Sequence, residues 1–427
     1  QLHLISGPLG KISAIYESAF DSLIRHQNRQ IGLGDYGAKY IASSATVRDA
    51  ETQIFRLMGR PSAIFPPPGI KASDSFFSVD DDNPDTARLY LGVMSQGINS
   101  TTSAHWTAAA ILGSVRIVAE REEYSAKEMD FLWSLVCYCN SKRELGLLNA
   151  STNDEILARM RVYADIEGFD PELVEDLLKE EVSSQGVKSI SETRGSLLIP
   201  LADSGRTSVR DFIPATNMIS VGVDINRLGA MMINGQPKTT AEYIQASSRV
   251  GRNPDGNGPG LVVTLYSPAK PRDRSHYEHF KGYHQSLYRL VEPTSVTPAS
   301  ERALERALHA ALVIVVRHTQ KSLSNAPRLS DFSSPSLSQV VNMFEERLLS
   351  AYPDESKYEY ERRTIRKALD GAKAKWEKLS NRYTNLEYSA SGKAPNVLLC
   401  DFHKQQGNAF PTMRSMRSVD VAIPMKF

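Results

Sequence analysis

Gln245, Arg249, Gly251 and Arg252 stand in the spacing Gln-x-x-x-Arg-x-Gly-Arg, and upstream of them Gly222 and Asp224 stand as Gly-x-Asp. A guanidinium is planar and keeps its charge at any physiological pH, and two arginines three residues apart on a helix can address one anion together. The anion that suits such a pair is a phosphate, because a phosphoryl-transfer transition state spreads negative charge over its oxygens. Thr239 stands where a side-chain oxygen can cap a helix running over 239–252. The apolar run from Asn217 to Ile225 ends on Asp224, as a buried strand does when it presents a polar loop to a ligand.

Other constellations carry less. Gly7-Pro8-Leu9-Gly10-Lys11-Ile12-Ser13 lacks the Gly-x-x-x-x-Gly-Lys-Ser/Thr spacing of a phosphate loop and is rejected as one. Cys137 and Cys139 lie two apart in an apolar run, on one face of a strand, with no nearby residues to complete a metal-ligand set. Asp80-Asp81-Asp82 sits in a stretch rich in Pro, Ser and Asp and reads as a solvated loop. His276, His279 and His284 match no zinc spacing, but they belong to a run from Arg272 to Arg289 that mixes bases with aromatics. Such mixing suits single-strand binding, where rings stack on bases and cations follow phosphates; packing of the same rings on a neighbouring sheet is the equal alternative.

The elements that must position these residues alternate. Ala14–Asn28 reads as an amphipathic helix, 38–46 as a strand, 47–59 as a helix, and Phe65-Pro66-Pro67-Pro68-Gly69 as a break. Strands are expected from Arg88, Leu135, Asn217, Leu228 and Gly258, with helices over 103–120 and 127–134. The stretch 152–187 reads as helical and charged, and 190–195 as a polar loop. Further helices follow over 298–316, 334–349 and 358–382. Strand alternating with helix is the pattern of a doubly wound parallel sheet, so the fold class is α/β followed by a mainly helical region.

At 427 residues the chain has length for two or three domains. Its net charge of +1 means that any basic groove must come from clustering, and its three cysteines cannot make a disulfide framework. A reducing, cytoplasmic setting fits. No apolar run nears the roughly 20 residues of a membrane helix. The chain opens on Gln1, inside what reads as a structured element, and is expected to be a piece of a longer polypeptide.

The ordered pair, Gly222-x-Asp224 and then Gln245-x-x-x-Arg249-x-Gly251-Arg252, resembles the fifth and sixth motifs of superfamily 2 helicases. The resemblance implies two RecA-like domains. Arg249 and Arg252 would then reach the γ-phosphate of ATP, with Gln245 beside them and Gly222 and Asp224 coupling nucleotide to nucleic acid. It identifies Ser44-Ala45-Thr46 as the third motif, relaying nucleotide state, and Leu2-His3-Leu4 as the tail of the second, with His3 bridging to the third. The acidic pair that holds Mg²⁺ and the phosphate loop would stand upstream of Gln1. The resemblance further implies backbone contacts to DNA from Ser141, Lys142 and Arg143 at the fourth motif, Thr193 and Arg194 at an accessory motif, and Thr216 and Asn217 at the fifth.

The runs Leu2-His3-Leu4-Ile5-Ser6-Gly7-Pro8-Leu9-Gly10, Arg272-Asp273-Arg274-Ser275-His276-Tyr277-Glu278 and Ser415-Met416-Arg417-Ser418-Val419-Asp420 are similar to the helicases of the bacterial DISARM anti-phage system. That implies a role in phage restriction, DrmB as protein partner, and DNA read with little sequence preference, single-stranded or with a single-stranded overhang. The expected organisation is 1–68 as the end of the first RecA-like domain, 69–86 as linker, 87–270 as a complete second domain, and 271–427 as a helical accessory region. The expected function is an ATP-dependent DNA helicase or translocase. The alternative is a catalytically inert, helicase-like DNA-binding scaffold in a multi-subunit complex; no acidic-plus-lysine constellation supports a nuclease.

Overall fold

Strands buried on both faces must be apolar throughout, and four short runs meet that requirement, with a fifth, half-exposed strand at the sheet's side, in the chain's computed structural model. It describes residues 2, 5–44, 49–65, 67, 70, 77, 88–121, 124–150, 152–170, 177–183, 190–201, 208–219, 224–252, 260–293, 296–389, 396–401, 408–413 and 416. Strands β1 (Arg88–Met94), β2 (Leu135–Cys139), β3 (Phe212–Ala215), β4 (Ala230–Asn234) and β5 (Gly260–Tyr266) pair in parallel in the order β1-β5-β4-β2-β3. A separate small parallel pair joins β6 (Leu399–Asp401) to β7 (Phe410–Thr412).

The helices run in chain order as α1 (Gly7–Gln30), α2 (Ala50–Met58), α3 (Ser100–Glu120), α4 (Ala126–Trp133), α5 (Lys142–Ala150), α6 (Ala158–Ile166) and α7 (Ile190–Leu197). They continue as α8 (Thr240–Ser247), α9 (Pro271–Glu278), α10 (Phe280–Gln285), α11 (Glu301–Thr319), α12 (Pro335–Leu349) and α13 (Glu359–Arg382). The chain divides into two compact units. One holds 1–70, 75–77 and 293–427; the other holds 71–74 and 78–292.

In the sheet unit, alternation across β2 sorts the core into two layers. Leu135, Cys137 and Cys139 face one layer with residues of α3, α5 and α6, whereas Val136 and Tyr138 face the other, with Tyr243 and Ala246 of α8. Cys137 and Cys139 do share a face, and burial pushes the Cys137 thiol well up, so both behave as small core hydrophobes. At the edge of the sheet, β1 leaves Leu89, Leu91 and Val93 exposed. Asp211, just before β3, accepts from Arg116 Nη2 at 2.6 Å, Trp133 Nε1 at 2.8 Å and the Leu178 amide at 2.8 Å. One buried carboxylate thus ties α3, α4 and the 177–183 segment to the sheet.

Several expectations change. The stretch 152–187 is helical only to Ile166; among the described residues, 177–183 lies extended beside β3, with bridges at Phe212 and Ala215. Residues 190–197 form a helix, not a loop. Of the strand expected from Asn217, residues 217–219 form a turn that Thr216 begins and 220–223 lie outside the described residues; a strand precedes them at 212–215. Residues 271–292 belong to the sheet unit. Tyr283 is buried there, its hydroxyl accepting from Gln236 Nε2 at 3.0 Å, and the Tyr243 hydroxyl meets His284 Nε2 at 2.9 Å. These rings are committed to packing, although Tyr277 and Tyr288 stay exposed.

In the other unit, Ile12, Ile15 and Ala19 of α1 share one core with α11, α12 and α13, including Leu312, Phe344 and Trp376. The strand expected at 38–46 is absent from its described part, 38–44, which pairs with no strand. Its backbone groups go elsewhere: the Ala38 amide donates to Asp21, and the Ala38 carbonyl accepts from Arg60 Nη1 at 2.6 Å. Leu2 N donates to Ser43 O at 2.9 Å, and Gln53 Nε2 donates to the Leu2 and Ile5 carbonyls, so the expected second-motif tail runs beside the segment leading into Ser44.

His309 of α11 is 4% exposed and stacks on Phe410 at 5.0 Å; burial, and then the nearby Lys375, hold its pKa down at about 4. Its folded pKa lies below its unfolded value, so between the two the unfolded chain binds more protons and stability falls as pH drops. The expected outcome is loss of stability as pH is lowered from about 6.5 to about 4, at up to ~1.4 kcal/mol per pH unit. Denaturant midpoints against pH for the protein and for His309→Gln check this; an unchanged slope in the variant refutes it.

Candidate functional site

Helix α8 starts where the Thr239 hydroxyl accepts from the Glu242 amide at 3.2 Å, and the Glu292 carboxylate accepts from the Thr240 amide at 2.8 Å. Both satisfy donors that a helix N-terminus leaves open, and the acid complements its dipole. The expected helix over 239–252 stops at Ser247. Gly251 has φ of +68°, a conformation open to glycine at little cost, so Arg249 and Arg252 lie on a turn beyond the helix.

That turn is clamped against the edge of the sheet where the strands begin. Gly251 N donates to Leu228 O at 2.9 Å, just before β4. A Cβ on Gly251 would sit 2.8 Å from the Cα of Gly260, the first residue of β5, so the two glycines let the backbones touch. Arg88, the first residue of β1, donates from Nε to Val250 O at 2.8 Å and from Nη2 to Ser248 O at 3.4 Å. Arg227 forks onto Asp130, with Nη2 to Oδ1 at 2.8 Å and Nε to Oδ2 at 3.0 Å, and fixes the turn that carries Asp224.

So held, the two arginines converge on one carboxylate. Arg252 Nη1 lies 2.6 Å from Asp224 Oδ1 and Arg249 Nη1 lies 4.0 Å from it. The Arg249 side chain is mostly buried while Asp224 is 63% exposed. Burial, and then the charge of Arg252, lower the Arg249 pKa, and Asp224 pulls only weakly the other way. An exposed ion pair contributes only about 0–1 kcal/mol, so a stronger anion can displace the carboxylate. Gln245 is half-buried on α8, in the turn preceding the arginines. Gly222 of the fifth-motif run lies outside the described residues, as do His3, Ala45 and Thr46; Ser44 is described and exposed.

The opposite edge of the sheet, where strands end, gathers the candidate backbone contacts. Asn140 Nδ2 donates to the Asn234 and Gly235 carbonyls, each at 2.9 Å, and so joins the loops after β2 and β4. Ser141 Oγ accepts from the Glu144 amide at 3.2 Å and starts α5, leaving Lys142 and Arg143 exposed in its first turn. Asn217 is exposed just past β3. Arg194 is exposed on α7, whose Leu197 carbonyl accepts from Arg227 Nη1 at 3.2 Å ahead of β4, so it is not placed at this edge. Thr193 and Thr216 are largely buried, at 6% and 8% exposed, and Thr193 lies on a helix over 190–197 where a loop was expected. Among the described residues no group of His, Cys, Asp and Glu could hold a metal, and no helix is long and apolar enough to cross a membrane.

Sequence reasoning missed Arg88, Arg227 and Asp130, the residues that hold the site's backbone. The available signal is a charged residue placed at the mouth of an otherwise apolar strand, which marks a side chain turned back onto neighbouring loops.

With this geometry in place, comparison with known proteins agrees with the motifs. Residues 194–254 match a helicase conserved C-terminal domain. The chain is 39% identical over 353 residues to DISARM protein DrmA of Bacillus paralicheniformis, an overlap covering 80% of this chain and 30% of that protein. Among solved structures it is similar to the DUF1998 helicase MrfA bound to DNA, with 16% identity, a TM-score of 0.47 and coverage of 81% of this chain and 37% of that one. It is also similar to Mycobacterium smegmatis helicase Lhr bound to ssDNA and AMP-PNP, with 18% identity, a TM-score of 0.46 and coverage of 83% and 37%. The chain thus spans about a third of the length of these relatives.

Replacing Gly251 tests the clamp. Gly251→Ala should lower stability by roughly 1–2 kcal/mol for the left-handed backbone, with about 1–3 kcal/mol more for the overpacked contact with Gly260. A denaturant midpoint equal to that of the unaltered protein would show that the turn is not under this constraint.

Proposed function

Taking as premise a superfamily 2 helicase C-terminal domain in a chain similar to DrmA, we propose that this chain is part of an ATP-dependent DNA helicase or translocase. The observation that carries the reading is the convergence of Arg249 and Arg252 on the single exposed carboxylate of Asp224, at the strand-start edge of the sheet. Two guanidiniums against one acid leave net positive charge on a rigid backbone turn. That excess fits a polyphosphate, whose oxygens take planar donors well.

ATP, when bound, supplies the phosphoryl group whose transfer to water drives the cycle. The part of this chain is to bring Arg249 and Arg252 to the anionic oxygens, with Asp224 released to solvent as they turn outward. Arg88 and the Gly251–Gly260 contact hold the backbone from which the two side chains reach, so only the guanidiniums have to turn. Mg²⁺ has no ligand set among the described residues. At the other edge, Lys142, Arg143, Asn217 and Ser141 meet the DNA backbone, which positions the strand without reading its sequence, and Arg194 on α7 adds a further cation to that contact. Anti-phage defence in the cytoplasm, with DrmB as partner, follows from the likeness to DrmA as part of the same reading.

The test is ATP hydrolysis by the protein at its full natural length, with and without single-stranded DNA at fixed salt. Hydrolysis stimulated by DNA is expected, and DNA binding with no hydrolysis would favour the inert scaffold instead. Arg252→Ala should leave DNA binding intact and lower turnover by about 10³–10⁵, the worth of an arginine finger in related nucleotidases. Unchanged turnover sinks the arginine assignment. Lys142→Ala should weaken binding evenly across sequences and flatten the salt dependence of log K by about 0.7, the share of one lost phosphate contact on a single strand. An unchanged slope removes Lys142 from the interface.

A further inference from the structure

The carboxylate of Asp21 is wholly buried in the unit built from the two ends of the chain, and cations reach it from three elements. Arg347 Nε of α12 donates to Oδ2 at 3.2 Å, Arg25 Nε of α1 lies 3.3 Å from the same oxygen, and Arg60, just past α2, pairs with Oδ1. The Ala38 amide donates to Oδ1 at 3.3 Å. Arg60 does more than pair with the acid. Its Nη1 holds the Ala38 carbonyl at 2.6 Å, and its guanidinium stands over the Tyr40 ring at 5.6 Å. Burial, and then Asp21 itself, push the Tyr40 phenol up to about 12, in keeping with a ring seated against that carboxylate.

Backbone at Gly37 fits this cluster only without a side chain, because a Cβ there would run into Arg60 and Asp21. Gly59 serves the other side: at φ +60° it ends α2 and leaves room for the Arg347 guanidinium, whose Nη2 donates to Leu57 O at 3.2 Å. The segment 37–40 is therefore held by side chains in place of a strand partner, and one of those side chains, through Asp21, answers to α12. Four residues beyond Tyr40 comes Ser44, the first residue of the run read as the third helicase motif.

We infer that Arg60 and Arg347 are positioning residues that act through Asp21 to set the 37–44 segment, so that helix α12 of the C-terminal region governs coupling between DNA binding and ATP turnover. This rests on the motor reading above. A buried ion pair is weak evidence for stability alone, since an apolar replacement often does as well, whereas a cluster that fixes one register of an otherwise unpaired segment has a use that apolar residues could not supply. Neither arginine is catalytic: each touches Asp21 or backbone.

The experiment compares the full-length protein with Arg60→Met, Arg347→Met and, as a structural control, Arg362→Met. Arg362 also binds within this unit, from Nη1 to Tyr352 O at 2.9 Å, but does not touch Asp21. Two quantities are read: amide hydrogen exchange over 36–44, and ATP turnover with and without single-stranded DNA. Arg60→Met, whose side chain is a quarter exposed, should keep the fold. It should speed exchange over 36–44 and cut the DNA stimulation ratio about 5-fold or more, the low end of ordinary coupling between sites, with basal turnover kept within about 2-fold. Arg347→Met should do the same if it folds, and Arg362→Met should leave both quantities unchanged. Faster exchange with full stimulation would mean an anchor of structure only and overturns the inference. So would an equal effect of Arg362→Met, which would mark general loosening. Absence of DNA-stimulated turnover in the unaltered protein would instead defeat the motor reading, and the coupling with it, while the exchange data still report whether the anchor exists.

Discussion

A carboxylate with no exposure is costly in a protein interior unless cations and donors surround it, and Asp21 meets that condition with Arg25 of its own helix, Arg60 just past α2 and Arg347 of α12. The two ends of the chain are thereby one unit, in which α1 packs with α11, α12 and α13. Removing all of its cationic partners would strand a buried charge, at a cost of about 3–5 kcal/mol, whereas losing one leaves two arginines and the Ala38 amide in place. Burial lowers the Arg347 pKa and Asp21 raises it, the opposition expected where desolvation and pairing meet. Everything else in this unit, including the path of 37–44, is arranged around keeping that group satisfied.

The sheet unit follows a different logic. Its strands are parallel, so all of them begin at one edge and end at the other, and loops at each edge are gathered from distant parts of the sequence. The edge where strands begin collects Arg88, Asp224, Arg249, Gly251 and Arg252; the edge where they end collects Asn140, Lys142, Arg143 and Asn217. The same topology that packs Val136 and Cys137 into opposite layers thus separates the phosphate-binding candidates from the nucleic-acid candidates.

Much of this was legible from residue order. The apolar runs beginning at Leu135, Leu228 and Gly258 gave strands because the inner strands of a parallel sheet have no solvent face to encode, the run from Arg88 gave the outermost strand, and the helices over 334–349 and 358–382 matched their periodicity. The arginine pair was legible because Gln245, Arg249, Gly251 and Arg252 form a spaced set. What was not legible depended on contacts at long range. Residues 38–44 have the composition of a strand, yet their hydrogen bonds go to Asp21 and Arg60. Thr193 reads as a loop hydroxyl until the helix over 190–197 turns it inward. The run from Arg272 to Arg289 reads equally as a base-stacking surface and as packing, and only the bonds of Tyr283 and His284 to Gln236 and Tyr243 decide for most of its rings.

The separation of the two edges has an electrostatic consequence. A five-residue strand such as β4 spans roughly 17 Å, about twice the screening length of roughly 8 Å in physiological salt. Where the charges on Arg249 and Arg252 face solvent, their field is largely screened by the time it reaches Lys142 and Arg143, so most of what neutralising one cluster does is felt locally. Whatever one edge tells the other has to travel as displacement of stiff, hydrogen-bonded strands, in the manner of a rod and not of a field.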